Sequence, residues 1–224
     1  MNIQESALVL IDLQKESNFG LLQMDEVIKN SKKVIDACRS KNIPIIYTRQ
    51  INRTDGVALS KGELLQENGQ PFYYNSDSEN IEILDEIKPN KEDVVIDKYR
   101  WSAFFETELN LVLKSMGVKH LIIGGVVTDG CLMTSVFDAY FRDYDIHLIK
   151  DISSASNEGA HMASLIIMAN WVYNISIYDS NNFMKRINGE EFNKWETTEA
   201  DVLKFTPENM REIYNQLQLR KEDH

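Results

Sequence analysis

Leu121-Ile-Ile-Gly-Gly-Val-Val-Thr-Asp-Gly-Cys131 is an apolar run that stops at two glycines and meets a cysteine a few residues later. It runs on into Leu132-Met-Thr-Ser-Val-Phe-Asp-Ala-Tyr-Phe-Arg142. The first part has strand composition. After Cys131 the residues Met133, Val136, Phe137, Tyr140 and Phe141 recur at three and four positions, the spacing of a helix. A strand, a tight turn and a helix make the repeating unit of a parallel α/β sheet. A thiol at the start of such a helix meets the positive end of its dipole and several unpaired N–H groups. Both favour the thiolate, which is the attacking species. The stretch reads as a cysteine nucleophile held on a strand-to-helix turn.

The same unit recurs on both sides of it. Upstream, Ser6-Ala-Leu-Val-Leu-Ile-Asp12 is a continuous apolar run closed by a carboxylate, as expected of a strand covered on both faces. Asp12 and Gln14 then sit where open α/β sheets place their ligands. Residues 25–40 form an amphipathic helix with Val27, Ile28, Val34, Ile35 and Cys38 on its apolar side, so Cys38 is read as a buried hydrophobe. Ile43–Thr48 is the second strand and Asp93–Asp97 the third, with Lys98 directly at its end. Residues 81–87 are expected to form a short helix. Ser102 is expected to cap a helix that carries Leu109, Val112, Leu113 and Met116 and stops at Gly117. Downstream, Asp145–Ile149 and Asn174–Tyr178 are two more strands, separated by a helix from about Asn157 to Trp171.

Two stretches fall outside this alternation. Residues 49–78 are irregular and glycine-rich, and a connection that long in a compact domain is functional or mobile. Phe72, Tyr73 and Tyr74 within it either line a pocket or tack the loop down, and tacking is the preferred reading. Residues 190–220 are charged with scattered apolar positions, and Thr206-Pro-Glu-Asn209 has the pattern of a helix start. The expected organisation is a main domain over residues 1–182 and a helical extension of the same domain over 183–224, with Arg220–His224 frayed.

The 224 residues are enough for one domain with a substantial core, and 43% hydrophobic with 26% charged residues is ordinary for a globular chain. The formal net charge of -11 repels nucleic acid and anionic membrane alike. No apolar run approaches the roughly 20 residues of a membrane span. No secretory leader is visible, and two cysteines far apart make no disulfide framework, so a reduced cytoplasmic setting is expected.

Asp12, Lys98 and Cys131 all lie at the C-terminal ends of strands, which right-handed crossovers bring to one edge. Here the residues are similar to a known family. Leu10-Ile-Asp-Leu-Gln14, Lys98 ahead of Arg100-Trp-Ser-Ala-Phe104, and Gly124-Gly-Val-Val-Thr-Asp-Gly-Cys131 followed by Asp138-Ala139 together resemble the isochorismatase-like cysteine hydrolases, over about residues 5–180. The resemblance implies an α/β fold: a three-layer αβα sandwich on a six-stranded parallel sheet of order 3-2-1-4-5-6, here with a C-terminal helical appendage. It implies a catalytic triad of Asp12, Lys98 and Cys131, and a cis peptide between Val127 and Thr128. Backbone N–H groups of Thr128 and Cys131 would then bind an oxyanion. The implied reaction is hydrolysis of a non-peptide C–N bond of a small amide, ureide or carbamoyl compound through a thioester on Cys131. Homodimers or homotetramers are common in the family.

Departures narrow the expectation. Nicotinamidases of this superfamily carry an Asp-x-His metal motif after the second strand, whereas this chain reads Thr48-Arg-Gln-Ile-Asn-Arg53. The four histidines have no ligand-like spacing, and His161 is read as a satisfied structural residue. No metal and no cofactor are therefore expected. Enzymes that cleave the vinyl ether of isochorismate lack the cysteine, which is present here. Gln14, Asn18, Phe19, Trp101 and Phe104 are the expected substrate contacts, while Arg49 and Arg53 are read as surface arginines. The competing readings are a catalytically silent binding or scaffolding protein on the same fold and a thiol redox sensor. The second lacks a nearby resolving cysteine.

Overall fold

A computed structural model describes residues 1–217. Residues 218–224, with the expected frayed end Arg220–His224, lie outside the described residues. Six parallel strands form the sheet: β1 (Ser6–Ile11), β2 (Ile45–Gln50), β3 (Val94–Lys98), β4 (His120–Gly125), β5 (Asp145–Ile149) and β6 (Ile175–Tyr178). A two-residue strand, β7 (Trp195–Glu196), adds to β6 in antiparallel sense, giving the order β3-β2-β1-β4-β5-β6-β7. The expected parallel order is therefore present, with one edge strand that the charged C-terminal sequence did not announce. β1 lies at the centre because its run has no polar residue between Ala7 and Ile11. Alternate residues feed opposite faces: Ala7, Val9 and Ile11 enter one apolar cluster, Leu8 and Leu10 the other.

Helices cover both faces. α1 (Met24–Ser40) and α5 (Ser180–Asn188) lie on the Leu8 side, where Cys38 is fully buried. α2 (Leu109–Ser115), α3 (Met133–Tyr140) and α4 (Glu158–Trp171) lie on the other, and α6 (Met210–Gln216) packs against α4. Two expected helices are corrected. Residues 81–87 hold only single turns at Glu79–Ile81 and Asp85–Ile87. Their backbone is used instead to pair with the segment after β1: the Lys15 N–H donates to the Glu82 carbonyl and the Leu84 N–H to the Leu13 carbonyl. The helix expected to be capped by Ser102 starts only at Leu109, because Glu106 is left-handed (φ 52°) and interrupts the run. Its end is as expected, with Gly117 left-handed and the Val118 N–H closing back on the Leu113 carbonyl.

Candidate active site

Three strand ends converge. The pairing of β1 with β4 puts Ile11 beside Gly125, and that of β2 with β3 puts Gln50 beside Lys98. Gly125 has φ 127°, and a Cβ there would stand 2.1 Å from the Ile11 carbonyl oxygen. Only glycine lets the two backbones approach this closely. Asp12 turns left-handed (φ 50°) at the end of β1, a conformation aspartate tolerates, and its N–H donates to Thr48 Oγ1 at 3.2 Å. The Thr48 hydroxyl in turn donates to Asp12 Oδ1 at 2.7 Å. That leaves Oδ2 for Lys98, whose Nζ stands 2.6 Å away.

Lys98 is the hub. Its ammonium donates to Gln50 Oε1 (2.9 Å) and the Arg100 carbonyl (3.1 Å), and approaches Cys131 Sγ at 3.4 Å. The side chains of Asp12 and Lys98 are fully buried. Burial alone would drive Lys98 toward the neutral amine, but Asp12 and Cys131 outweigh it and hold the ammonium above its ordinary value. Cys131 goes the other way. Burial pushes its thiol up to about 12, with Lys98 pulling down and the Asp12 carboxylate pushing up. The α-helix N-terminus expected to favour the thiolate is not what Cys131 meets. Cys131 does not open an α-helix. It sits inside a π-type turn, Thr128–Leu132, in which the Leu132 N–H reaches back to the Val127 carbonyl. Burial favours the protonated thiol there, and a carboxylate stands beside it.

The cis peptide joins Val126 to Val127, one bond upstream of the expected Val127–Thr128. The reason Thr128 cannot be the open end of the turn is visible in its hydrogen bond. Its N–H donates to the Ser154 carbonyl at 2.8 Å, next to a parallel bridge between Val126 and Ser154. Thr128 is fully buried and turned away from the cavity, whereas Val127 and Gly130 line it. The Val127 N–H has no acceptor among the described residues.

Above Cys131 opens a cavity of about 830 Å³. Its floor is Gln50, Val127, Gly130 and Cys131, and its walls include Phe19, Asn52, Tyr73, Tyr74, Trp101 and Phe105. Of the expected contacts, Phe19 and Trp101 belong to it. Phe19 stacks on Tyr73, ring centres 4.2 Å apart, and Trp101 is 66% exposed at the mouth. Three do not. Gln14 is buried behind the site, its amide used on the Gln50 N–H and carbonyl and on the Ile81 carbonyl. Asn18 is on the surface, its N–H bound to Glu16. Phe104 is in the core against Tyr144, and its neighbour Phe105 faces the cavity instead. In an irregular segment, alternation gives no rule for which of two adjacent aromatics turns inward. Arg49 and Arg53 are surface arginines, paired with Asp97 and Glu82 and with Asp55.

Sequence reasoning missed the residues that fasten the cavity wall. The long loop is not loose. Buried Glu16 accepts the Tyr74 N–H (3.0 Å) and the Asn18 N–H (2.9 Å). Asn52 binds the Tyr73 carbonyl and Glu63 Oε1, both at 3.1 Å. Tyr74 is therefore both a fastening point and a cavity residue, and burial together with Asp12, Cys131 and Glu16 keeps its phenol protonated. Gln50 and Asn52 lie at and just beyond the C-terminal end of β2. Both are neutral amides already bound within the protein, and no group of three or more His, Cys, Asp or Glu suited to a metal occurs among the described residues.

Comparison with known proteins agrees with this geometry. The Isochorismatase domain model matches residues 6–176. The ureidoacrylate amidohydrolase RutB of Serratia proteamaculans is 26% identical over 170 residues, covering 63% of this chain and 66% of that protein. Enterobactin synthase component B of Escherichia coli K12 is 31% identical over 170 residues, covering 74% of this chain and 58% of its own. The chain thus spans less than two thirds of the length of either relative. Among solved structures, a cysteine hydrolase from Pseudomonas syringae pv. phaseolicola superposes with a TM-score of 0.75 at 23% identity, covering 84% of this chain and 95% of that one. An isochorismatase family protein from Burkholderia thailandensis superposes with a TM-score of 0.71 at 20% identity, covering 84% and 97%. At these identities the structural likeness is one of fold.

Proposed function

This chain belongs to the isochorismatase family of hydrolases, and from that premise we propose that it cleaves a non-peptide C–N bond of a small amide, ureide or carbamoyl compound, with Cys131 as nucleophile. The observation that carries the reading is the buried Lys98 ammonium set between Asp12 Oδ2 and the Sγ of Cys131, which lies on the floor of an open cavity. An ion pair beside a protonated thiol is arranged for proton transfer at the moment of attack. Asp12 takes the thiol proton as sulfur adds to the substrate carbonyl, and Lys98 offsets the charge on sulfur and carboxylate in turn. The carbonyl oxygen becomes an oxyanion. With the Thr128 N–H committed to Ser154, the donors that suit it are the N–H groups of Val127 and Cys131, each worth about 3 kcal/mol in other hydrolases.

The intermediate collapses as Asp12 hands the proton to the departing nitrogen. Amine or ammonia leaves, and the acyl group stays on sulfur as a thioester. Water then attacks, giving its proton to Asp12, and the acid leaves as the thiol is restored. The relatives named for ureidoacrylate support a carbamoyl or ureido substrate, and the aromatic walls suit a flat body. The test is a panel of amides, ureides and carbamates with ammonia as readout. Release from at least one class is expected. If none is turned over, and Cys131 is alkylated by iodoacetamide no faster than Cys38, the protein is a silent binder on this fold and the enzyme reading fails.

A further inference from the structure

The family match ends at residue 176, yet the chain beyond it reaches back to the catalytic turn. Two polar clamps hold that segment against α4. Asn170 exchanges two hydrogen bonds with the backbone of Leu203 (3.0 and 2.8 Å), and Arg211 binds Glu158 at 2.6 Å. Between them α6 sets Tyr214 over His161, the rings 6.0 Å apart at 63° and the phenol oxygen 3.5 Å from Nε2. The other face of the same imidazole meets the turn, with Nδ1 2.9 Å from Thr128 Oγ1. Thr128 stands between Val127 and Cys131 and is anchored on its backbone side by Ser154. A neutral imidazole donates through one nitrogen and accepts through the other, and each hydroxyl can take either part. His161 is kept in that form by burial and by Lys150, whose buried ammonium lies 5.3 Å from the Tyr214 ring centre with no hydrogen-bond acceptor of its own among the described residues.

We propose that His161 is a positioning residue for the hydrolysis: it fixes the Thr128 side chain and so the turn that carries the Val127 N–H and Cys131, and Tyr214 of the C-terminal segment holds it in place. The segment is then a working part of the active site, though it touches no substrate. The inference rests on the reading of Cys131 as nucleophile. The alternative is that Thr128–His161 is only a buried polar pair satisfying itself. That role predicts lost stability without a selective effect on the chemical step.

The two are separated by Thr128→Val, Thr128→Ser, His161→Phe and Tyr214→Phe, assayed with the best amide or ureide of the panel, with iodoacetamide labelling of Cys38 as the reporter of a loosened core. We expect kcat to fall about tenfold in Thr128→Val and His161→Phe with KM within twofold, and about threefold in Tyr214→Phe. Thr128→Ser keeps the hydroxyl and should stay within twofold of the parent. The double variant Thr128→Val/His161→Phe should be no worse than the poorer single, since both cut one link. Thr128→Val or His161→Phe within twofold of the parent overturns the proposal. So does equal damage in Thr128→Ser and Thr128→Val, or a fall that tracks faster labelling of Cys38. A parent protein that turns over nothing removes the nucleophile reading itself, and this inference with it.

Discussion

At the scale of single residues, the site is an argument about one buried charge. Lys98 makes its four contacts in a space with no solvent, so each partner is needed to keep the others in place. Cys131→Ala should abolish turnover, by about four orders of magnitude or more, while leaving the melting temperature near that of the parent. Residual activity near the parent value would remove the nucleophile assignment. Lys98→Met is expected to behave differently. It leaves the Asp12 carboxylate buried without its counter-charge, so it should cost about 3–5 kcal/mol of stability as well as activity, read from a denaturant titration. A stable Lys98→Met protein would mean that Asp12 is not held as an ion pair. Lys150 is the opposite case. Burial brings its ammonium down to about 8, against 10.5 ordinarily. A base with a lowered folded value contributes stability above its unfolded pKa that is lost as pH falls through the folded one, so at neutral pH wild type bears the full cost. Lys150→Met should therefore be stabilising by about 1 kcal/mol at pH 7, the lost contact with the Tyr214 ring offsetting part of the gain. That gain should shrink between pH 8 and 10.5 in thermal melts.

At the scale of elements, the turn after β4 and the loop after β2 build the cavity by different means. The turn is fixed by steric closeness. Gly125→Ala would force a methyl group into the Ile11 backbone, and about 3 kcal/mol or more of destabilisation is expected, measured by chemical denaturation. The loop is fixed by Glu16. Glu16→Ala unfastens the Tyr74 N–H, so KM should rise with kcat largely kept, and trypsin should cut within residues 51–78 faster. An unchanged KM would show that the wall does not touch substrate. These two elements also mark what sequence makes legible. Continuous apolar runs located every parallel strand, β3 included, although only Ile96 and Lys98 of it are buried at the edge of the sheet. Strand ends located Asp12, Lys98 and Cys131, because the sheet itself brings them together. The cis bond was off by one, since nothing in Val126-Val127-Thr128 says which amide finds a carbonyl. Phe105 rather than the expected Phe104 faces the cavity, and Gln14 lies behind it, because loop side chains follow tertiary hydrogen bonds that leave no period in the sequence. Apolar spacing after Cys131 announces a helix but does not separate the π-type turn, Thr128–Leu132, from the α-helix that starts at Met133.

At the scale of the whole molecule, the sheet, its central β1 and the layers on either side are those of the isochorismatase family, whose domain model matches residues 6–176. The C-terminal segment adds β7 to the sheet and lays α6 on α4. Charge and donor set bear on partners and cofactors. The formal charge of -11 disfavours polyanions, and no helix among the described residues is long and apolar enough to cross a membrane. Neutral amides at Gln50 and Asn52 give a divalent ion little to bind, so turnover should be unchanged by EDTA. Loss restored by added metal would contradict that. The central claim is the covalent route through Cys131. It is tested most directly by rapid acid quench of the protein during turnover, followed by intact-mass measurement and mapping of the modified peptide. The account predicts a transient adduct equal in mass to the substrate's acyl group, on the peptide that contains Cys131. Turnover with no adduct on that peptide, retained in Cys131→Ala, would contradict it.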